Sequence, residues 1–64
     1  MIKLDIIIPV YNEDENIVIL LKKLEKEISF NFRVLICFDK DSDKTLNHLK
    51  NKNIIQKEIL FIKN

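Results

Sequence analysis

Short apolar runs alternate with an amphipathic stretch along this chain, and each run stops at acidic or turn-forming residues. Lys3 to Ile8 is nearly all apolar apart from Lys3 and Asp5. Its length and composition predict a buried strand, of the kind covered on both faces in a parallel sheet. Pro9 ends it, because proline has no N–H to give to a central ladder. Ile17, Leu20, Leu21, Leu24 and Ile28 then recur at helical spacing, which predicts an amphipathic helix running to about Ile28. Asn12 is placed to cap that helix, with Glu15 three residues on completing a capping box. Glu13, Asp14 and Glu15 favour the positive end of its dipole, and Lys22, Lys23 and Lys26 lie toward the negative end.

Phe32 to Cys37 or Phe38 is the second apolar run and predicts a second strand. The polar loop Asp39-Lys40-Asp41-Ser42-Asp43 follows, with Asp41 or Ser42 capping a second helix that reaches about Lys50. Only Leu46 and Leu49 stripe that helix, with Thr45 helping at its start. Asn51-Lys52-Asn53 breaks the chain, Ile54 and Ile55 pack on the way in, and a third strand is predicted at Lys57 to Ile62. The order is βαβαβ. Parallel strands joined by helices cross over right-handed, so the expected fold class is α/β, a three-layer βαβαβ unit with a short parallel sheet. In such open sheets the ligand crevice lies at the carboxyl ends of the strands.

Composition narrows the chemistry. A chain of 64 residues is one small domain, which buries only about 60% of the surface its unfolded form exposes. With a single cysteine and a single histidine it forms no internal disulfide and no closed zinc site. The core must therefore carry the fold alone or borrow surface from another chain. Eleven basic and ten acidic residues give a net charge of +1, with no clustered basic footprint for nucleic acid. No run approaches the roughly 18 to 20 apolar residues of a membrane span, and a reduced, cytoplasmic setting is expected. Glycine is absent, where average usage of about 7% would give some four residues. That removes the glycine-rich phosphate cradles, both dinucleotide fingerprint and Walker loop.

Candidate chemistry gathers where the strands end. Asp39 closes the second strand. An ionised carboxylate only accepts hydrogen bonds, so it suits a nucleobase N–H or sugar hydroxyls and not a phosphate; its plain alternative is a cap on the next helix. Glu13 follows the first strand and is suited to ribose hydroxyls, or simply to the helix dipole. Tyr11 is placed to pack on a base or to close the top of the core. Asp41 and Asp43 read as helix caps and not as a metal pair. Cys37 reads as a small hydrophobe buried in the sheet interior, and His48 as a surface residue. No catalytic residue and no metal ligand is assigned.

Ile6-Ile7-Ile8-Pro9-Val10-Tyr11-Asn12-Glu13-Asp14-Glu15-Asn16-Ile17 resembles the opening signature of the family 2 glycosyltransferases. This is the GT-A-fold group that includes dolichol-phosphate mannosyltransferase-like enzymes. Val34 to Thr45 continues the likeness more loosely, with four apolar residues, an acidic turn and Asp-x-Thr. The resemblance runs from about Leu4 to the C-terminus. It implies the N-terminal part of a Rossmann-like nucleotide-binding domain, with Pro9, Val10, Tyr11 and Glu13 lining a base and ribose pocket and Asp39 contacting the base. The partner it implies is a nucleoside-diphosphate sugar.

Two departures stand out. The family's usual acidic pair is Phe38-Asp39 here, and Lys40 and Lys44 stand where glycines usually follow. The family's catalytic domain is several times longer, and its metal-binding Asp-x-Asp and catalytic base come later. The chain is therefore expected to be a nucleotide-binding half, inactive alone and without a cofactor of its own, with a divalent metal (Mg or Mn) serving the full-length enzyme. In the strand order that the resemblance implies, the first strand has an exposed edge in this chain. A homo-oligomer through that edge is the alternative expectation, as a non-catalytic module. A receiver-type signalling domain would want an acidic pair after the first strand, where this chain has Pro9.

Overall fold

A computed structural model of the chain describes residues 2–50 and 52–64. The elements are β1 (Leu4–Pro9), α1 (Asp14–Glu27), β2 (Phe32–Phe38), α2 (Lys44–Leu49) and β3 (Glu58–Lys63). All five lie where the hydrophobic pattern predicts them, with β1 and β3 each shifted one residue toward the C-terminus. The sheet is parallel throughout, in the order β1-β2-β3. No helix among the described residues is long and apolar enough to cross a membrane.

The expected third layer is not found. Each crossover moves one strand in the same direction, and two right-handed crossovers of that kind place both helices on one face. Helices α1 and α2 pack against each other there. β2 shows the consequence residue by residue. Phe32, Val34, Ile36 and Phe38 are buried beneath the helices, whereas Arg33, Leu35 and Cys37 on the opposite face are only half-buried. The molecule is a two-layer βαβαβ unit. A continuous apolar run does not reveal which of its faces is covered; topology decides that.

The opposite face carries three cross-strand rows set by the register. Asp5, Arg33 and Glu58 form the first, Ile7, Leu35 and Leu60 the second, and Pro9, Cys37 and Ile62 the third. Arg33 holds Asp5 in a two-pronged ion pair at 2.9 and 2.7 Å, which keeps the exposed Asp5 carboxyl below its ordinary range. The other two rows are apolar, and Ile7 is 67% exposed. This corrects two expectations: β1 is not covered on both faces, and Cys37 is half-buried on the open face and not sunk in the interior.

Beneath the helices lies a single core. Ile17 and Leu21 of α1, the four inward residues of β2, Leu46 and Leu49 of α2, and Ile55 from the returning segment are all buried in it. Val18, Leu24, Ile28, Ile54, Ile59 and Phe61 pack around them. The stripe on α1 is turned slightly from the expected one, with Val18 packed inward and Leu20 left 40% exposed.

β1 is an edge strand. The Val10 N–H donates to the Cys37 carbonyl at 2.9 Å, beside the Pro9–Cys37 pair of the register. Because successive residues of a strand turn their N–H groups to opposite sides, the Pro9 nitrogen faces away from β2. Its missing donor therefore costs the ladder nothing.

Phe32 is fully buried at the start of the central strand. A domain of this size has a stability of only about 3–10 kcal/mol, and emptying a buried phenylalanine site costs about 3–5 kcal/mol. Phe32→Ala is expected to abolish the cooperative urea transition followed by circular dichroism. Ile19→Ala, on the solvent face of α1, is expected to shift it by no more than about 0.5 kcal/mol.

Candidate functional site

β1 and β2 end side by side, so the turns that follow them meet at the carboxyl edge of the sheet. The two turns are fastened together by side chains. Asn12 donates its backbone N–H to both oxygens of the Asp43 carboxylate, at 3.1 Å each. The Lys44 N–H donates to Asn12 Oδ1 at 3.0 Å, and the Glu13 N–H donates to Thr45 Oγ1 at 2.8 Å. Asp43 also accepts the Thr45 N–H at 2.8 Å, which makes it the cap of α2.

Asn12 has a positive φ of 48°, alone among the described residues. Without a glycine the chain needs a residue that tolerates the left-handed region, and asparagine is the best substitute. This geometry overturns the expected caps. Asn12 does not cap α1, because its amide oxygen is occupied by Lys44. Glu13 takes the cap position without a side-chain cap bond, and its carboxylate accepts from Asn16 Nδ2 at 3.2 Å. At α2 the reading of Asp43 as a cap holds, whereas Asp41 and Ser42 do not cap that helix.

Between the two turns opens a hollow of about 270 Å³, lined by Tyr11, Asn12, Asp39, Lys40, Ser42, Asp43 and Lys44. The Tyr11 ring is 72% exposed, which leaves it free to stack on a ligand. The end of β3 is tied to the turn after β2. Asn64 donates its backbone N–H to the Phe38 carbonyl at 2.7 Å and its side-chain amide to Asp39 Oδ1 at 3.0 Å. Lys63 Nζ reaches Asp41 at 3.1 Å. Asp39 thus keeps an acceptor oxygen for other donors.

The five residues singled out in the sequence are divided between two hollows. Tyr11 and Asp39 share the one just described. Pro9, Val10 and Glu13 line a second, smaller one of about 180 Å³, together with Asn16, Ile17 and Leu20. The carboxylates of Glu13 and Asp39 do not line a common cavity.

The sequence reading gave Asn12, Asp43 and Thr45 only local roles at helix starts and missed the bonds by which they and Asn64 join distant segments. Asn12 and Asp43 left a signal: a glycine-free strand-to-helix turn needs a left-handed residue, and Asp43-x-Thr45 is a capping pattern. Thr45 and Asn64 join partners 32 and 25 residues away, which no local pattern records.

The chemistry available is recognition: an exposed aromatic ring, a carboxylate acceptor and two ammonium groups around one hollow. No group of three His, Cys, Asp or Glu side chains suited to a metal ion occurs among the described residues. Asp43 is ringed by N–H donors and Asp41 by Lys63, so the Asp-x-Asp pair does not fit one.

Burial pushes the Asp43 carboxyl up, but hydrogen bonding from Thr45 and from the Asn12 N–H outweighs it and leaves the group below its ordinary value. A carboxyl depressed in the folded state contributes stability above its unfolded pKa of about 3.9, and loses it as pH falls toward the folded value. Thermal stability is therefore expected to decline below about pH 4. Asp43→Asn, which keeps one acceptor oxygen, is expected to be less stable at pH 7 by about 1–3 kcal/mol and to show a flatter decline with acid. Melting curves from pH 7 to pH 2.5 check this. An unchanged slope would mean that Asp43 is not the group responsible.

No family model, no curated protein and no solved structure matches the chain.

Proposed function

We propose that the chain is the nucleotide-recognition portion of a glycosyltransferase that moves a sugar from a nucleoside-diphosphate sugar to an acceptor hydroxyl. The observation that carries this reading is the shared hollow of Tyr11 and Asp39 at the carboxyl edge of a parallel sheet. Tyr11 offers a stacking face for a base. Asp39 offers an acceptor for a base N–H or for ribose hydroxyls. Glu13, with Pro9 and Val10, borders the neighbouring hollow, where the rest of a nucleoside sugar would extend.

By this reading the chain binds and orients and performs no transfer itself. In the intact enzyme a divalent ion would neutralise the diphosphate leaving group, held by residues other than those described. A cytoplasmic setting belongs to the same reading.

Titration of uridine and guanosine diphosphates into labelled protein, followed by NMR, is expected to shift Tyr11, Asn12, Asp39 and Lys44. A hydrogen bond to a charged group is worth about 1.5–3 kcal/mol, so Asp39→Asn is expected to weaken the better ligand by about tenfold or more. Shifts confined to other positions, or an Asp39→Asn variant that binds as well as the parent, would sink the assignment.

A second reading rests on β1 being an edge strand with Ile7 largely exposed. Its free edge is a template for antiparallel pairing with a second copy, giving a two-fold dimer with a continuous sheet. Pro9 confines the available N–H donors to the earlier part of the strand. Sedimentation at high micromolar concentration is expected to show the dimer, which Ile7→Lys would dissociate. A parent protein that stays monomeric there rules this reading out.

A further inference from the structure

The largest hollow described lies at the other end of α2 from the candidate site. It is an open hollow of about 410 Å³ between the last turn of α2, the returning segment and the helix-facing side of β3. Four apolar side chains form one part of its wall, beside the polar Asn53: Leu49 and Ile55 belong to the buried core, and Ile59 and Phe61 pack against that core. Lys52 and Lys57 stand beside this wall. No carboxylate lines the hollow, and neither lysine forms an ion pair among the described residues.

Lys57 is also placed. Its ammonium lies 5.6 Å from the centroid of the Phe32 ring, within the range of a cation–π contact. Phe32 is fully buried, so the ring that orients Lys57 is itself immobile.

Two uncompensated ammonium groups above an aliphatic and aromatic wall call for an anionic head on an apolar body. The volume falls within the usual range for small-molecule sites. We propose that this hollow binds small amphiphilic carboxylates, with the hydrocarbon part on Ile55, Ile59 and Phe61 and the carboxylate between Lys52 and Lys57. The other two apolar or cationic surfaces fit such a ligand less well. On the open sheet face Arg33 is already paired with Asp5, and the hollow beside Tyr11 carries Asp39 and Asp43 in its lining, which repel a carboxylate. The proposal does not depend on the nucleotide reading.

The test uses octanoate and octylamine, which share a tail and differ in the sign of the head group. Octanoate is expected to shift the methyl and ring resonances of Leu49, Ile55, Ile59 and Phe61, and to bind more tightly than octylamine. Exposed ion pairs are individually weak, so replacing both lysines (Lys52→Gln with Lys57→Gln) is expected to lower octanoate affinity about three- to tenfold. Lys52→Gln alone, at an exposed position that leaves the Phe32 contact intact, is expected to lower it about twofold. Circular dichroism of both variants confirms that they fold. Equal binding of octylamine, or octanoate shifts confined to Ile7, Leu35, Leu60 and Ile62 on the open face, would overturn the proposal. So would undiminished binding by a folded double variant.

Discussion

One buried carboxylate organises the carboxyl edge of this sheet. Asp43 gathers N–H donors from two turns that are separated by α1 and β2. Without it, Asn12 would hold a left-handed backbone with no partner for its N–H, at a cost of about 1–2 kcal/mol for the conformation alone. With it, the turn after β1 is fixed relative to α2. Tyr11, one residue earlier, and Lys44, one residue later, are then presented to the same hollow. The reciprocal bond from the Lys44 N–H to Asn12 Oδ1 closes the arrangement on both sides. The position of the exposed ring is thus an outcome of packing between loops and not of the ring's own contacts.

The same interaction explains what could and could not be read from the residues. Strands and helices were legible because each depends on a local period: Phe32, Val34, Ile36 and Phe38 alternate, and Ile17, Leu21, Leu24 and Ile28 recur every three or four positions. Their boundaries came out within a residue or so for the same reason. The caps misled, since Asn12 satisfies every local criterion for capping α1 and is diverted by a partner 32 residues away. The number of layers also misled. Ile6, Ile7 and Ile8 look alike in sequence, yet Ile6 and Ile8 face the helices and Ile7 faces outward. Proximity of Tyr11 and Asp39 was legible from strand-end logic, whereas the separation of Glu13 from Asp39 depends on how α1 leaves its turn.

Covering only one face of a parallel sheet is unusual, since such sheets occur almost always with helices on both. Here the outward rows Ile7–Leu35–Leu60 and Pro9–Cys37–Ile62 are as apolar as many inward ones, while the Asp5–Arg33–Glu58 row closes one end with charge. The core beneath the helices is correspondingly asked to supply nearly all the apolar burial in a chain that has little of it to spare. That places a premium on the fully buried positions of β2, which share one core with residues of both helices, and explains why the central strand is the least exposed element of the fold.

The helices end without glycine as well: Ile28 and Lys50 leave α1 and α2 with extended backbone, and among the described residues a left-handed conformation falls on position 12 alone. Among substitutions there, a glycine would relieve about 1 kcal/mol of backbone cost and forfeit a side-chain hydrogen bond of about the same size. Neutral drift between those two residues is therefore open at this site, and β-branched side chains are shut out of it. In an evolving lineage, position 12 would tolerate only a narrow alphabet while its neighbour Tyr11, held by no internal partner, remains free to change with whatever the hollow must recognise.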